Sequence, residues 1–261
     1  MARRNTLKWL AAAAFGLHLP TLAFQSTVKL AIRDGARENP DKSRIGSKKV
    51  ACRIIGVGDA GCNIVLAAWS SGLLQASDCQ SNFACVSMGL QSISDAIAAN
   101  RLHPGIAPIR TVQLGRFGAG GSVNIARAAA RKHENLLRSL VDGADIVILV
   151  LGLGGGAGSA AGPALARLAM EAGALVLGVI VTPFKWELGR YPNAFAALKA
   201  LERHSHYLVS LPNEKMGELL GLDATLDDVI AHQEVLGTSC IQRLVLDGSR
   251  FCIDRWRSRP A

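Results

Sequence analysis

Residues 145–184 constrain the fold more than any other part of the chain. They read Asp-Ile-Val-Ile-Leu-Val-Leu-Gly-Leu-Gly-Gly-Gly-Ala-Gly-Ser-Ala-Ala-Gly-Pro, pass through a helix-forming run, and end in Ala-Leu-Val-Leu-Gly-Val-Ile-Val-Thr-Pro-Phe. Two strands with no polar residue must be buried on both faces, which is the situation of strands inside a parallel sheet. The glycine cluster between the first strand and its helix leaves backbone N–H groups uncovered and lets a bulky anion approach them. Tight helix–sheet packing without a ligand also uses glycine, but glycine weakens a helix, and packing alone rarely needs so many.

The same arrangement recurs. Lys49 to Ile55 predicts a strand that runs into Gly56-Val57-Gly58-Asp59-Ala60-Gly61, with a helix from Cys62 to Ser71. Strands are expected over Asn82 to Val86 and Ile109 to Leu114, then a glycine turn from Gly115 to Gly121. Ser122 precedes a helix through Arg138, with Ile125, Ala128, Ala129 and Leu136 expected on one face. The glycine cluster leads to a helix from Pro163 to Glu171 and a strand from Leu175 to Val181. A helix from Asn193 to Arg203 then leads to a strand from Tyr207 to Leu211. Thr225-Leu226-Asp227-Asp228 reads as a capping box opening a long helix to about Val245. The class is therefore α/β, a Rossmann-like, mostly parallel sheet with helices on both faces. The expected organisation is a leader and linker over 1–47, a nucleotide-binding domain over 48–223, a long core helix over 224–246 and a basic tail over 247–261.

All strand C-termini of a parallel sheet lie on one edge, so the three glycine turns should converge there on a polyphosphate. Gly56-Val57-Gly58-Asp59-Ala60-Gly61 satisfies G-x-G-x-x-G, which points to a dinucleotide. Its usual partner, an acid at the end of the second strand, is missing from Val86-Ser87-Met88-Gly89, and Asp78 lies before that strand. An NAD-binding enzyme thus stands as one alternative. No G-x-x-x-x-G-K-[ST] loop and no G-x-S-x-G elbow is present.

Composition narrows the classes. The formal charge of +9 is uneven: residues 1–50 hold ten Lys/Arg against three Asp/Glu, and residues 51–261 hold nineteen against seventeen. A near-neutral folded part does not read as a nucleic-acid binder. Cys52, Cys62, Cys79, Cys85, Cys240 and Cys252 form no Cys-x-x-Cys pair and have no histidines at zinc spacing. They read as small buried hydrophobes with reduced thiols. Ala2-Arg3-Arg4-Asn5-Thr6-Leu7-Lys8 followed by the apolar run Trp9 to Leu22 is similar to a twin-arginine export signal. The run is too short to span a bilayer, so no stable membrane insertion is expected. A cytoplasmic location is expected, with export the alternative that this segment carries.

Five stretches together resemble the tubulin/FtsZ family, bacterial FtsZ more than tubulin. Gly152-Leu153-Gly154-Gly155-Gly156-Ala157-Gly158-Ser159-Ala160 is similar to the family's glycine-rich signature, and Gly56 to Asn63 to its first phosphate loop. Phe117-Gly118-Ala119-Gly120-Gly121 is similar to the third loop, Thr182-Pro183-Phe184-Lys185-Trp186-Glu187 to the ribose-contacting segment, and Leu211-Pro212-Asn213-Glu214-Lys215 to the sixth loop.

The resemblance implies a site for GTP or GDP, with Mg²⁺ bridging phosphates. Gly58, Asp59, Ala60, Asn63, Gly118, Ala119, Gly120, Gly154, Gly155, Gly156, Ala157, Gly158 and Ser159 would then lie around the nucleotide. Glu187 would hold ribose, with Arg190 near the sugar or γ-phosphate, Asn213 would read the base, and Glu234 falls where the family has its guanine-binding acid. Implied partners are an FtsZ or a second copy of the chain.

The departures from the family pattern concern chemistry. Ala157, Ser159 and Ala160 replace a threonine, a second threonine and the last glycine of the signature. Ser87-Met88-Gly89 replaces Asn-Thr-Asp, and Val229 falls at the guanine-stacking aromatic. The hydrolytic loop, which acts across a subunit junction, would be Cys252 to Arg257. There Asp254 fits the first acid, but Arg257 replaces the second and Cys252 the asparagine. An arginine cannot serve as a carboxylate base, so slow or absent hydrolysis is expected. The family's second domain has no counterpart before Ala261. Ile241, Leu244 and Val245 are thus candidates for an exposed apolar face. A non-enzymatic interaction module with a degenerate site is the remaining alternative.

Overall fold

The structure is a computed structural model, and it describes residues 49–72, 79–115, 118–221 and 223–257. The expected leader over 1–47, Asp78 and Phe117 lie outside the described residues, as does the side chain of Asp254.

Six parallel strands form one sheet: β1 (Val50–Val57), β2 (Cys79–Ser87), β3 (Arg110–Gln113), β4 (Ile146–Gly152), β5 (Leu175–Thr182) and β6 (Tyr207–Pro212). Their spatial order is β3-β2-β1-β4-β5-β6. The chain thus moves outward from β1 in one direction, then resumes at β4 in the other, and the seam between β1 and β4 is the topological switch point. Register levels the C-terminal ends, because Val57 pairs with both Val86 and Leu151, Gly152 with Val181, and Thr182 with Pro212.

The apolar strands are buried on both sides, as their composition requires. Along β4, Ile146, Ile148 and Val150 face one layer and Val147, Leu149 and Leu151 the other, all at 1 % exposure or less. Each such side chain contributes about 1.5–3 kcal/mol by leaving water. On one face the sheet is covered by α3 (Val123–Lys132), α4 (Glu134–Val141), α5 (Gly156–Glu171) and α6 (Tyr191–His204). On the other lie α1 (Gly58–Ser70), α2 (Leu90–Leu102) and α8 (Leu226–Arg257). α7 (Asn213–Leu220) follows β6 directly.

Several elements differ from expectation. α2 and α7 are additional helices. The single helix expected to follow Ser122 and run through Arg138 is two, breaking at His133, whose Nδ1 lies 2.9 Å from the Ala129 carbonyl oxygen. Its buried face is Ala126, Ala130 and Leu137, whereas Ile125 and Leu136 are exposed. α5 begins inside the glycine cluster, at Gly156, rather than at Pro163. The Thr225 capping box forms as expected: the Asp228 N–H donates to Thr225 Oγ1 (3.2 Å) and the Thr225 N–H to Asp228 Oδ2 (2.9 Å).

α8 then runs to Arg257, well past Val245. Ile241, Leu244 and Val245 are not an uncovered face. They are buried against the sheet with Cys240 and Cys252. All six cysteines are buried in that same layer, as expected of small hydrophobes. Within the described residues no helix is long and apolar enough to cross a membrane, and no group of three or more His, Cys, Asp or Glu is placed to hold a metal.

Candidate functional site

A cleft of about 300 Å³ opens at the C-terminal edge of the sheet, and the chain following all six strands lines it. Gly58, Asp59 and Ala60 come from the start of α1. Ser87, Met88 and Gly89 come from the end of β2, and Gly118 to Gly121 from the turn before α3. Gly152, Leu153 and Gly155 to Gly158 come from the β4–α5 turn, Val181, Thr182, Pro183, Glu187 and Arg190 from the β5–α6 segment, and Asn213 from the first residue of α7. The three glycine turns expected to meet do meet.

The helix starts at the cleft are mostly uncapped. Val57, Gly89, Gly155, Arg190 and Pro212 precede α1, α2, α5, α6 and α7, and none contributes a side-chain cap bond. α3 differs: Ser122 Oγ accepts from the Ile125 N–H at 3.4 Å. An uncapped start leaves backbone N–H donors without an intrahelical partner and concentrates positive potential there. Several such starts aimed into one hollow suit a ligand with many acceptor oxygens.

The glycines divide into two kinds. A Cβ on Gly61 would collide with the Val150 carbonyl and one on Gly158 with the Gly152 carbonyl, so these positions hold helices directly against strands. A Cβ on Gly118, Gly120, Gly121 or Gly155 would meet nothing within 4 Å, so these line open space. Packing and ligand access are both served by the same cluster. Gly58 sits at φ 75°, in the left-handed region where side chains are strained, and turns β1 into α1.

Polar side chains around the cleft are already organised. Asp59 Oδ1 accepts from the hydroxyls of Ser87 (3.3 Å) and Ser92, and Ser87 Oγ accepts from the Gly89 N–H at 3.1 Å. Glu187 Oε2 accepts from the Phe184 N–H at 2.9 Å, and its Oε1 lies 2.8 Å from Arg190 Nη1. Asn213 Oδ1 accepts from the side-chain amide of Gln233, which ties α8 to the end of β6. Burial holds the Glu234 carboxyl above its ordinary range. Among the described residues the charged side chains lining the cleft are Asp59, Glu187 and Arg190.

Thirteen of the residues read from the sequence line the hollow: Gly58, Asp59, Ala60, Gly118, Ala119, Gly120, Gly155, Gly156, Ala157, Gly158, Glu187, Arg190 and Asn213. Four do not. Asn63 lies half-buried further along α1. Gly154 is tucked behind the turn at φ 95°, its N–H donating to Ser159 Oγ at 2.9 Å. Ser159 is 4 % exposed, so its hydroxyl braces the loop instead of facing the cleft. Glu234 is beside Gln233 on α8, and it is Gln233 that reaches Asn213. The segment Cys252 to Arg257, read as a loop, is the end of α8, with Cys252 buried. Ser87, Met88 and Gly89, where the resemblance implies lost polar contacts, and Thr182 and Pro183, which open the ribose-contacting segment, also line the hollow, although the resemblance assigns none of them to the nucleotide. Their position at the ends of β2 and β5 is the signal that finds them.

The family model described as "Tubulin/FtsZ family, GTPase domain" matches residues 51–221. The cell division protein FtsZ of Rickettsia typhi is 30 % identical over 181 residues, covering 69 % of this chain and 38 % of that protein. Cell division protein FtsZ 1 of Archaeoglobus fulgidus is 33 % identical over 173 residues, covering 66 % of this chain and 44 % of that protein. An empty FtsZ dimer from M. jannaschii superposes with a TM-score of 0.65 at 24 % identity, over 77 % of this chain and 56 % of that one. The chain spans about two fifths of the length of these curated relatives.

Proposed function

The chain belongs to the tubulin/FtsZ family, and from that premise we propose that it binds a guanine nucleotide in the cleft and hydrolyses it slowly or not at all. The observation that carries the reading is the convergence on one hollow of uncapped helix starts after β1, β2, β4, β5 and β6 and of open glycines after β3 and β4. Backbone N–H groups of α1, α5 and the Gly118–Gly121 turn would take the phosphates. Glu187 and Arg190 would flank the sugar, and Asn213 would read the base. The residues present fit such a ligand, because the positions nearest the open space carry no side chain that fills it. Mg²⁺ would neutralise charge between phosphates, as at other nucleotide sites.

Slow turnover is supported by the end of α8. Cys252 is buried under the sheet, and the segment assigned to hydrolysis continues a helix instead of forming a loop. Trp186 and Leu188 are exposed on the segment between β5 and α6 that supplies Glu187 and Arg190 to the cleft, and Phe195 is exposed on α6. An apolar rim there suits docking on an FtsZ-type filament or a second copy, and thereby modulation of assembly in cell division.

One observation favours the interaction-module reading. The acceptors assigned to ribose and base, Glu187 and Asn213, are already engaged by Arg190, the Phe184 N–H and Gln233. Titration with GTP, GDP, ATP and NAD decides. Guanine-selective binding is expected. Absence of any binding supports the non-enzymatic module instead, and NAD selectivity a dinucleotide enzyme.

A further inference from the structure

The Asp59 carboxylate stands in the part of the cleft that an anion needs. It lies in the first turn of α1, where the helix would otherwise present its positive end to a phosphate. It is not free to swing away. Ser87 and Ser92 both donate to Oδ1, Ser92 from the first turn of α2, and Ser87 is itself positioned by the Gly89 N–H. The carboxylate is therefore pinned between two helix starts. Its other oxygen, Oδ2, has no hydrogen-bond partner among the described residues.

Among the described residues the compensating charge around it is small. Of the charged side chains described at the cleft, Arg190 is ion-paired with Glu187 at 2.8 Å, which leaves Asp59 as the uncompensated charge. A diphosphate or triphosphate brought there meets a fixed negative charge at close range. In surroundings of intermediate dielectric that repulsion weakens binding by about tenfold or more.

We propose that Asp59 makes polyphosphate binding conditional on a divalent cation, which its free oxygen and the ligand's phosphates would share. The inference rests on the nucleotide reading above and adds to it the way this chain's cleft selects its ligand's ionic form. Mg²⁺ is commonly held by one or two carboxylates plus phosphate oxygens, with water completing the octahedron. Asp59 supplies the carboxylate, and the two serine hydroxyls hold it in orientation. No group of three or more His, Cys, Asp or Glu able to hold a metal exists among the described residues, so the cation and the nucleotide must assemble the site together. Linkage then requires each to raise the other's affinity by the same factor.

Calorimetric titration of GDP tests this, in EDTA and in excess Mg²⁺, on the wild-type chain and on Asp59→Asn. The wild type should gain about tenfold in affinity on adding Mg²⁺. D59N should bind metal-free GDP about tenfold more tightly than wild type and lose most of the Mg²⁺ gain. In the absence of nucleotide, Mn²⁺ should bind neither protein measurably. An equal Mg²⁺ gain in the two proteins, or an unchanged metal-free affinity in D59N, overturns the proposal while leaving the nucleotide site standing. GDP binding to neither protein under either condition overturns the nucleotide reading itself, and this inference with it. Should D59N fail to fold, Ser92→Ala reads the same coupling, because it unpins the carboxylate without removing it. Its Mg²⁺ gain should fall below that of wild type, and an unchanged gain overturns the proposal.

Discussion

Gly158 and Gly152 meet backbone to backbone: a Cβ on Gly158 would collide with the Gly152 carbonyl oxygen. That contact presses the first turn of α5 onto the end of β4 and sets the floor of the cleft. Gly158→Ala should therefore cost roughly 1–3 kcal/mol or more, because neither backbone can retreat. Gly155→Ala, three residues away over open space, should change stability by no more than about 1 kcal/mol, the scale of an N-cap substitution. It should weaken phosphate binding instead. Chemical denaturation separates the two, and equal destabilisation would show that the cluster serves packing alone.

Asn213 couples the cleft to α8 through Gln233. Asn213→Ala should weaken GDP binding by about tenfold, the scale of one lost buried hydrogen bond, and should narrow the preference for GDP over ADP. Competition titrations with the two diphosphates measure both effects. An unchanged preference would remove Asn213 from base recognition.

Glu234 should make stability fall as pH rises. Burial lifts its folded-state carboxyl above the ordinary 4.5, so the folded state prefers the neutral form. Its contribution is fully present below the unfolded value and is lost as pH rises through the higher folded value. His232 is pushed below 6.5 by burial and acts in the opposite sense, losing stability as pH falls. The difference between Glu234→Gln and wild type isolates the first effect. Thermal unfolding should place E234Q above wild type at pH 7, with the gap closing toward pH 4. A gap independent of pH would contradict it.

The long helix should behave as core. Ile241 is fully buried against the sheet, so Ile241→Ala should cost about 2–5 kcal/mol, as a large-to-small change in a packed interior does. A loss below about 1 kcal/mol, the range of an exposed site, would mean that α8 does not cover that face in solution. Urea unfolding, with the slope checked for an unchanged exposed area, gives the number.

Much of this architecture was legible from local pattern. Short unbroken apolar runs such as Ile146 to Leu151, rich in β-branched residues and ended by glycine, read as central parallel strands, and the glycine marks the turns. Strand direction alone then brings three turns to one edge. A run of residues carries that information because burial on both faces leaves no polar position anywhere in it. The tertiary structure decided what depends on helix rotation and on partners far along the chain. It separated Gly158, which packs on backbone, from Gly155, which lines open space, although the two look alike in sequence. It put Gln233 rather than Glu234 beside Asn213, a difference of one position and about 100° around α8. It covered the sheet with Ile241 and Val245, and it pinned Asp59 with serines from β2 and α2. Such pairings are set by how helices roll and settle against the sheet, which no spacing within a single element records.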